Sequence, residues 1–366
     1  NKGLFDGVSL NGEDSNAALA HLLKLNIILV LDCAGITRGI APLLQGYQGF
    51  DKDLKYKGVI LNNVASDRHE GKIINTINEF TKFKVIGSVH KNKQLNIIEK
   101  KLGLEPVFQN KNTNKVIKNI SSIVKSSIDI KCLLNKPIKA KKNMITKINT
   151  RYSKYSNLRI GIALDSAFGF YYPDDIEKIK SYGVKIIYFD TLKDKSLPNV
   201  DALIIGGGFP ERVAHYLNKN TQMIKSISSF INDGLPVYAE CGGLMYLCKT
   251  IKTSMKKYKM TGIINADVEM CDNPIGRGYV ELSVSNKHPW FHKGDTIKCH
   301  EFHYSNIILK NDSYSYGFKV KRGYGINGKH DGILYKNLVA SYSHLRDTDQ
   351  SKWIDNYLNF INSIKK

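Results

Sequence analysis

No apolar stretch in this sequence is long enough to cross a bilayer, because runs such as residues 27–31 span only a few positions. None of the six cysteines belongs to a C-x-x-C pair, and a chain of 366 residues does not need disulfide staples. Arginine is scarce, with only eight among the 54 basic residues, although phosphate and base recognition often use it. These absences argue against a membrane protein, a disulfide scaffold and a nucleic-acid reader. The simplest compartment is the cytoplasm.

The length and composition indicate a globular protein with more than one domain. Single hydrophobic cores rarely grow past roughly 250–300 residues, so 366 residues predict two domains. The formal charge of +21 comes mainly from lysines spread along the chain, densest in residues 111–154. Such a basic surface favours a small polyanionic substrate through electrostatic steering.

Short apolar runs alternate with amphipathic segments, a pattern that predicts parallel α/β units. We predict three domain-level segments, which are an N-terminal domain (1–110), a Lys/Asn-rich linker (111–157) with one helix at 115–125, and a second α/β domain (158–366). Beyond residue 261 the tighter alternation predicts antiparallel strands. Predicted strands are 27–32, 58–62, 84–89, 159–163, 185–189, 202–205 and 236–239, and predicted helices are 67–80 with Asp67 as its cap, 173–182, 220–232, 243–251 and 351–364.

The most informative segment surrounds Cys241. A short β-type run ends at this cysteine, two glycines follow, and a helical apolar pattern begins. A sharp strand-to-helix turn of this kind holds a nucleophile clear of the sheet, and small neighbours let a substrate approach. The start of a helix also favours the thiolate form of a cysteine. The N–H group of Gly242 is well placed to bind an oxyanion. A buried structural cysteine before a loop is the alternative.

Two further features support a nucleophile at Cys241. Three glycines, residues 206–208, directly follow a predicted strand, where they can turn backbone N–H groups towards a ligand. His344 lies just past a late apolar run and could reach the thiol, because catalytic cysteine and histidine residues meet in space rather than in sequence. A plain strand-to-helix turn is the alternative for the glycines.

The segments Gly-Gly-Gly-Phe-Pro-Glu (206–211), Glu-Cys-Gly-Gly-Leu-Met-Tyr-Leu (240–247) and Ser-Tyr-Ser-His (341–344) resemble the glutaminase domain of class I glutamine amidotransferases. In detail the chain is similar to the cobyrinate a,c-diamide synthase family of corrinoid biosynthesis. The similarity covers nearly the whole chain. Further matching segments are 3–7, 58–62, 66–69, 102–104, 165–168, 170–173, 276–279, 300–305 and 331–332.

The resemblance implies the fold, the reaction and the site. The fold would be an incomplete P-loop NTPase-like parallel sheet followed by a class I glutamine amidotransferase-like α/β domain. Cys241 would attack glutamine, His344 would move the proton, and backbone N–H groups of Gly207, Gly208 and Gly242 would hold the oxyanion. Ammonia would pass to the N-terminal domain, where ATP and Mg²⁺ activate the a and c carboxylates of a corrin tetrapyrrole polycarboxylate. Glutamine is the amido donor, and a homo-oligomer is compatible with the sequence.

The resemblance also predicts a phosphate-binding glycine loop, and none is found. The nearest text match, residues 323–330, has His330 where a hydroxyl residue should follow the lysine, and residues 327–328 fit a hairpin turn better. The family motif that contains Asp6 normally lies well inside the first domain, so we expect an N-terminally truncated chain whose metal ligands lie upstream. By the same resemblance Asp6 faces the substrate and Asn62 approaches the adenine. A turn aspartate is the alternative for Asp6.

Several alternatives stay open at this stage. Within the same class the rivals are cobyric acid synthase and nickel-sirohydrochlorin a,c-diamide synthase, and from another class a non-catalytic nucleotide switch or a nucleic-acid-binding protein. His300 and His303 are three residues apart, not four as in a zinc helix, so a structural or substrate contact is favoured over a metal. Glu240 has a scaffold interpretation. Arg346 replaces the second histidine of a His-Leu-His segment that is frequent in the family, and no third triad member is named.

Overall fold

The computed structural model describes residues 3–7, 9–97, 99–100, 103–104, 113–134, 155–254, 256–310 and 314–365. The chain divides into two compact units, Asn1–Lys141 and Lys142–Lys366. Within the described residues, no helix has both the length and the apolar character that a membrane crossing requires. The finer division into domains of 1–110 and 158–366 with a linker between them stays a prediction.

The first unit is built on a three-stranded parallel sheet in the order β1-β2-β3. Its apolar strand residues pack on two amphipathic helices, which together bury a small core. All three predicted strands are confirmed, with β2 extended at both ends. The elements are α1 (Asn16–Leu23), β1 (Asn26–Asp32), α2 (Ile40–Phe50), β2 (Lys55–Val64), α3 (Asp67–Phe80), β3 (Val85–His90), β4 (Glu99–Lys100), β5 (Gly103–Leu104), α4 (Thr113–Ser127) and α5 (Ile130–Leu134).

Helix α3 has the predicted bounds but a different cap. Ser66, in extended conformation, accepts a hydrogen bond at its Oγ from the His69 N–H at 3.3 Å. The prediction of Asp67 as the cap is therefore wrong, because Asp67 is already the first helical residue. A serine one residue earlier satisfies a free N–H group of the first turn, as caps do.

The beginning of the segment that we expected to be a linker folds onto the first unit. Helix α4 extends over the predicted helix 115–125, and its end is joined to the sheet by a bond from the Asp129 N–H to the Ile86 carbonyl at 2.9 Å. Lys57 donates from Nζ to the Leu133 carbonyl at 2.7 Å. Residues 105–112 and 135–154 of this region lie outside the described residues, so the linker there stays a prediction.

The second unit is built on a nine-stranded sheet in the order β16-β15-β18-β19-β20-β11-β9-β6-β8. Strands β20, β11, β9, β6 and β8 are parallel, and the other four continue the sheet in antiparallel fashion. The elements are β6 (Arg159–Ala163), β7 (Phe168–Phe170), α6 (Pro173–Ser181), β8 (Lys185–Phe189), β9 (Ala202–Ile205), β10 (Gly207–Gly208), α7 (Ala214–Lys219), α8 (Thr221–Asn232), β11 (Val237–Glu240), α9 (Gly242–Leu247), β12 (Cys248–Lys252), β13 (Lys257–Lys259), β14 (Ile264–Met270), β15 (Gly276–Val284), β16 (Thr296–His303), β17 (Ser305–Leu309), β18 (Ser315–Arg322), β19 (His330–Tyr335), β20 (Leu338–Ser341) and α10 (Trp353–Ile364).

The predicted strands of the second unit are confirmed, three of them to the residue, and so are the antiparallel strands beyond residue 261. The hairpin expected at residues 327–328 joins the antiparallel strands β18 and β19. The predicted helix 243–251 is wrong in its second half. Helix α9 ends at Leu247, and β12 pairs with β13 and β14 in a four-stranded sheet. The β-branched residues Thr250 and Ile251 suit this strand, where the neighbouring strands bury them.

The buried side chain of His288 makes the stability of the second unit depend on pH. His288 is 7% exposed, and its ring packs against Trp290, Phe291 and Phe318. Its Nδ1 accepts the backbone N–H groups of Trp290 and Phe291 at 3.3 and 3.2 Å. Burial lowers the pKa of His288 to about 3, so the native protein holds this ring neutral.

The protein should therefore lose stability in acid, and His288→Asn should reduce that loss. Unfolding restores an ordinary histidine that binds a proton below about pH 6.5, so the unfolded state gains up to about 1.4 kcal/mol per pH unit as pH falls towards 3. Asparagine keeps an acceptor near Nδ1 but does not titrate. Urea midpoints between pH 7 and 4.5 should fall less steeply in the variant, even if its midpoint at pH 7 is lower. Parallel slopes would contradict the assignment.

Candidate active site

The turn after β11 is strained at Cys241. This residue has φ 46° and ψ −99°, a left-handed backbone conformation that L-residues avoid and that tends to occur at functional sites. The Cys241 N–H donates to the Ser341 carbonyl at 2.7 Å, and helix α9 starts at the next residue. The side chain is buried at the end of a central strand of the parallel sheet. The predicted elbow geometry is therefore present.

The predicted glycines lie around this cysteine. A Cβ on Gly207 would lie 2.4 Å from the His344 Cε1, so a side chain there would displace the imidazole. A Cβ on Gly208 would lie 1.9 Å from the Ala167 carbonyl oxygen, and one on Gly242 would lie 2.9 Å from the Gly208 nitrogen. Only glycine allows these approaches. The structure thus brings Gly207, Gly208 and Gly242 together beside the two candidate catalytic residues.

His344 is carried to the site by the segment after β20. The buried Asp331 carboxylate accepts the N–H groups of Tyr342 and Ser343, both at 3.0 Å, and this fixes the segment. The His344 N–H donates to the His300 carbonyl at 2.8 Å, so β16 supports the histidine from the other side. A catalytic histidine held in this way needs little reorganisation before it acts.

The His344 ring has a partner on each side. It stacks on the His300 ring with centroids 4.8 Å apart and an interplanar angle of 15°. Its Nδ1 lies 3.4 Å from the Glu240 Oε2. Burial alone would lower the pKa of His344, but the Cys241 thiol and the Glu240 carboxylate favour the imidazolium and raise it. Burial and the charge of His344 lower the pKa of His300 to about 4, so His300 stays neutral in the pair.

The environment of Glu240 and His300 was not predicted from the sequence. The Tyr172 hydroxyl lies 3.0 Å from the His300 Nδ1 and orients that ring. Arg346 contacts the same tyrosine, with its guanidinium carbon 5.0 Å from the ring centroid. It also pairs with Asp174 at 2.9 Å. The sequence could have indicated Glu240 as a site residue, because it directly precedes the candidate nucleophile.

The residues predicted for nucleotide or substrate lie in the first unit. Asp6 is exposed, and its carboxylate accepts the Gly3 N–H at 3.0 Å, which fits the turn alternative as well. Asn62 is half-buried and lies beside Asp32 in the register of β1 and β2. Asp32 and Asn62 lie near the carboxyl ends of parallel strands, where α/β folds bind ligands, whereas Asp6 lies before the first helix. Among the described residues, one group places ligand atoms within 4.8 Å of one another and could hold a cation: Asp67, Glu70 and His90.

The class of protein follows from a family comparison. Residues 159–350 match the model of the CobB/CobQ-like glutamine amidotransferase domain. This segment contains the strained cysteine, the three glycines and the buried histidine described above. The chain is therefore a glutamine amidotransferase.

Curated relatives define the family further. The chain is 34% identical to a cobyrinate a,c-diamide synthase of Magnetococcus marinus, over 96% of this chain and 77% of the relative. It is 36% identical to that of Caldanaerobacter subterraneus subsp. tengcongensis and 38% identical to that of Picrophilus torridus, in both cases over 94% of this chain and 75% of the relative. The chain belongs to the cobyrinate a,c-diamide synthase family.

Proposed function

We propose that this chain hydrolyses glutamine at Cys241 and delivers the ammonia for amidation of the a and c carboxylates of cobyrinate. The observation that carries the glutaminase half is the buried Cys241–His344 pair on a strained elbow beside Gly207, Gly208 and Gly242. The names of the relatives support cobyrinate as the acceptor over the other polycarboxylate tetrapyrroles.

In the proposed reaction, His344 holds the proton of Cys241 as an imidazolium, and the thiolate sulfur attacks the carboxamide carbon of glutamine. A C–S bond forms, and backbone N–H groups of Gly207, Gly208 and Gly242 bind the oxyanion that develops. His344 then returns the proton to the nitrogen as the C–N bond breaks and ammonia leaves. Water hydrolyses the γ-glutamyl thioester, which releases glutamate and restores the thiol. No oxidant or reductant is required.

We further propose ATP and Mg²⁺ for the acceptor half. ATP would supply the energy to activate a carboxylate as an acyl phosphate, and Mg²⁺ would neutralise the phosphate charge. The fit to this chain is incomplete, since the sequence contains no phosphate-binding loop of the form G-x-x-x-x-G-K-[ST]. Asp32 and Asn62 at the strand ends could contact the nucleotide, and Asp6 the tetrapyrrole. Residues 1–110 would supply this synthetase part, and residues 158–366 the glutaminase.

The cytoplasm is the compartment that this proposal implies. All six cysteines are unpaired, and free thiols are typical of a reducing compartment. The proposed nucleophile also requires a reduced thiol, because a disulfide at Cys241 would block the attack.

Glutamine turnover by this chain, with and without a glutamine-analogue alkylator, tests the proposal. We expect glutamate release that the alkylator abolishes, and peptide mapping should place the label on Cys241. Cys271 is a half-buried thiol that follows β14, outside the turn that holds Cys241. It serves as an internal control that should stay unlabelled. Turnover that persists after complete labelling of Cys241, or loss of turnover with the label elsewhere, would refute the assignment of the nucleophile.

A further inference from the structure

The side-chain contacts of Glu240 suggest a role for it that the reaction proposed above does not include. It is the last residue of β11, is 7% exposed, and immediately precedes the nucleophile. A buried carboxylate is costly unless hydrogen bonds or a charge partner stabilise it. Its Oε1 accepts the Leu345 N–H at 2.8 Å and the Tyr238 hydroxyl, while Oε2 lies 3.4 Å from the His344 Nδ1.

The two oxygens of the Glu240 carboxylate therefore have different partners. One oxygen is held by the backbone just after His344 and by a tyrosine inside the same strand, so the group has little freedom. The other oxygen faces the imidazole. With Nδ1 directed at a carboxylate, Nε2 is the nitrogen left to accept a proton from the Cys241 thiol. A histidine base commonly needs a third group to set its tautomer in this way.

Other carboxylates near the histidine segment are engaged elsewhere. Asp331 accepts backbone N–H groups of residues 332, 342 and 343. Asp347 pairs with Lys178 at 2.5 Å and accepts the Ile354 N–H at 3.1 Å. The position two residues after His344 is an arginine that contacts Asp174. Asp331, Asp347 and Arg346 therefore have other partners, whereas Glu240 lies 3.4 Å from the His344 Nδ1.

The strained turn at Cys241 explains how Glu240 and Cys241, which are adjacent in the sequence, can both act on the His344 imidazole. Consecutive side chains of a strand point to opposite faces of a sheet, which would separate Glu240 from Cys241. The positive φ of Cys241 breaks that alternation at the strand end. The Glu240 Oε2 lies 3.4 Å from the His344 Nδ1, and Cys241 also raises the pKa of His344.

We infer that Glu240 is the positioning residue of the glutaminase site, and that it holds the Nδ1–H side of the His344 ring so that Nε2 is left for the proton of Cys241. This inference rests on the proposed glutamine hydrolysis at Cys241. Glu240 does not touch the reacting carbon in this assignment, and it acts only through the imidazole. The proposed site then consists of three residues, which are the adjacent Glu240 and Cys241 at the end of β11 and His344.

The test compares Glu240→Gln with Glu240→Asp in the complete protein, with glutamate release as the readout. Glutamine keeps an oxygen for Leu345 and Tyr238 but presents an uncharged NH₂ group to Nδ1, which can neither accept the Nδ1 proton nor stabilise the imidazolium. We expect kcat to fall about 10²- to 10⁴-fold, as in serine proteases that lose the equivalent charge, with KM changed less than about threefold. Aspartate keeps the charge and should recover at least about tenfold of the lost kcat, even if Glu240→Gln folds poorly.

Glu301→Gln is the matched control. Glu301 is also a buried carboxylate, but its partners are the N–H groups of Tyr324 and Gly325 at 2.6 and 2.8 Å and the His303 Nε2 at 3.7 Å, and not His344. Its amide variant should lower the thermal midpoint but keep kcat within about twofold. If Glu240→Gln behaves like this control, or if aspartate restores nothing, Glu240 is a scaffold residue and the inference fails. The proposed function would survive that result, and it fails only if the unaltered protein releases no glutamate or if Cys241→Ala still does.

Discussion

Cys241→Ala is expected to abolish glutamine hydrolysis, with a loss of at least about 10³-fold, while ammonia-dependent amidation continues. The reason is chemical, since alanine cannot form the γ-glutamyl thioester and the oxyanion groups have no tetrahedral intermediate to stabilise. Loss of a covalent nucleophile in comparable sites lowers kcat by about 10⁶-fold. Glutamate release and amide formation from ammonium chloride are measured on the same preparation.

The fold should tolerate the change. Alanine removes only the sulfur, although the residue keeps its unfavourable φ of 46° and the thermal midpoint can shift slightly. Cys271→Ala is the control, because that thiol is half-buried at the end of β14 and only donates weakly to the Glu269 carbonyl at 3.8 Å. It should keep full glutaminase activity. Equal losses in both variants, or glutamate release by Cys241→Ala, would exclude Cys241 as the nucleophile.

His344→Asn is expected to lower kcat for glutamine hydrolysis by about 10³-fold or more, with KM within about threefold. Proton transfer by a positioned histidine contributes typically 10²- to 10⁴-fold, and here the same ring also balances the charge of the attacking sulfur. Asparagine is smaller than histidine and lets Gly207 keep its close approach. Steady-state glutaminase kinetics at several pH values measure the effect.

The exposed His215 provides a control for this variant. His215→Asn should leave kcat unchanged, which would show that loss of a histidine elsewhere in the same unit is harmless. Added imidazole should partly rescue His344→Ala, because a small base can enter the space that the ring leaves beside Cys241. Normal kcat in His344→Asn, with a normal thermal midpoint, would contradict the role of His344 as the base.

Much of the fold was readable because its signals are local. The strands of both units are short β-branched and apolar runs bounded by turn residues, and three of them in the second unit have the predicted bounds. The predictions were wrong where contacts with adjacent strands, or the local backbone conformation, determine the structure. Residues 248–252 continue an apolar helical pattern, yet two adjacent strands pair with them and make them a strand. Ser66 and Asp67 are both good caps, and only the backbone conformation selects Ser66.

The sequence by itself determined the class of the chemistry. A cysteine between a β-type run and two glycines, a glycine turn after another strand and a late histidine are local patterns, and each is visible in the sequence alone. Only the tertiary structure decided which groups act on the histidine. Glu240 and His344 lie 104 residues apart with facing atoms 3.4 Å from each other, and His300 stacks on the same ring from a third segment. Such contacts depend on the order of the strands in the sheet, which brings segments distant in the sequence together and which no local pattern encodes.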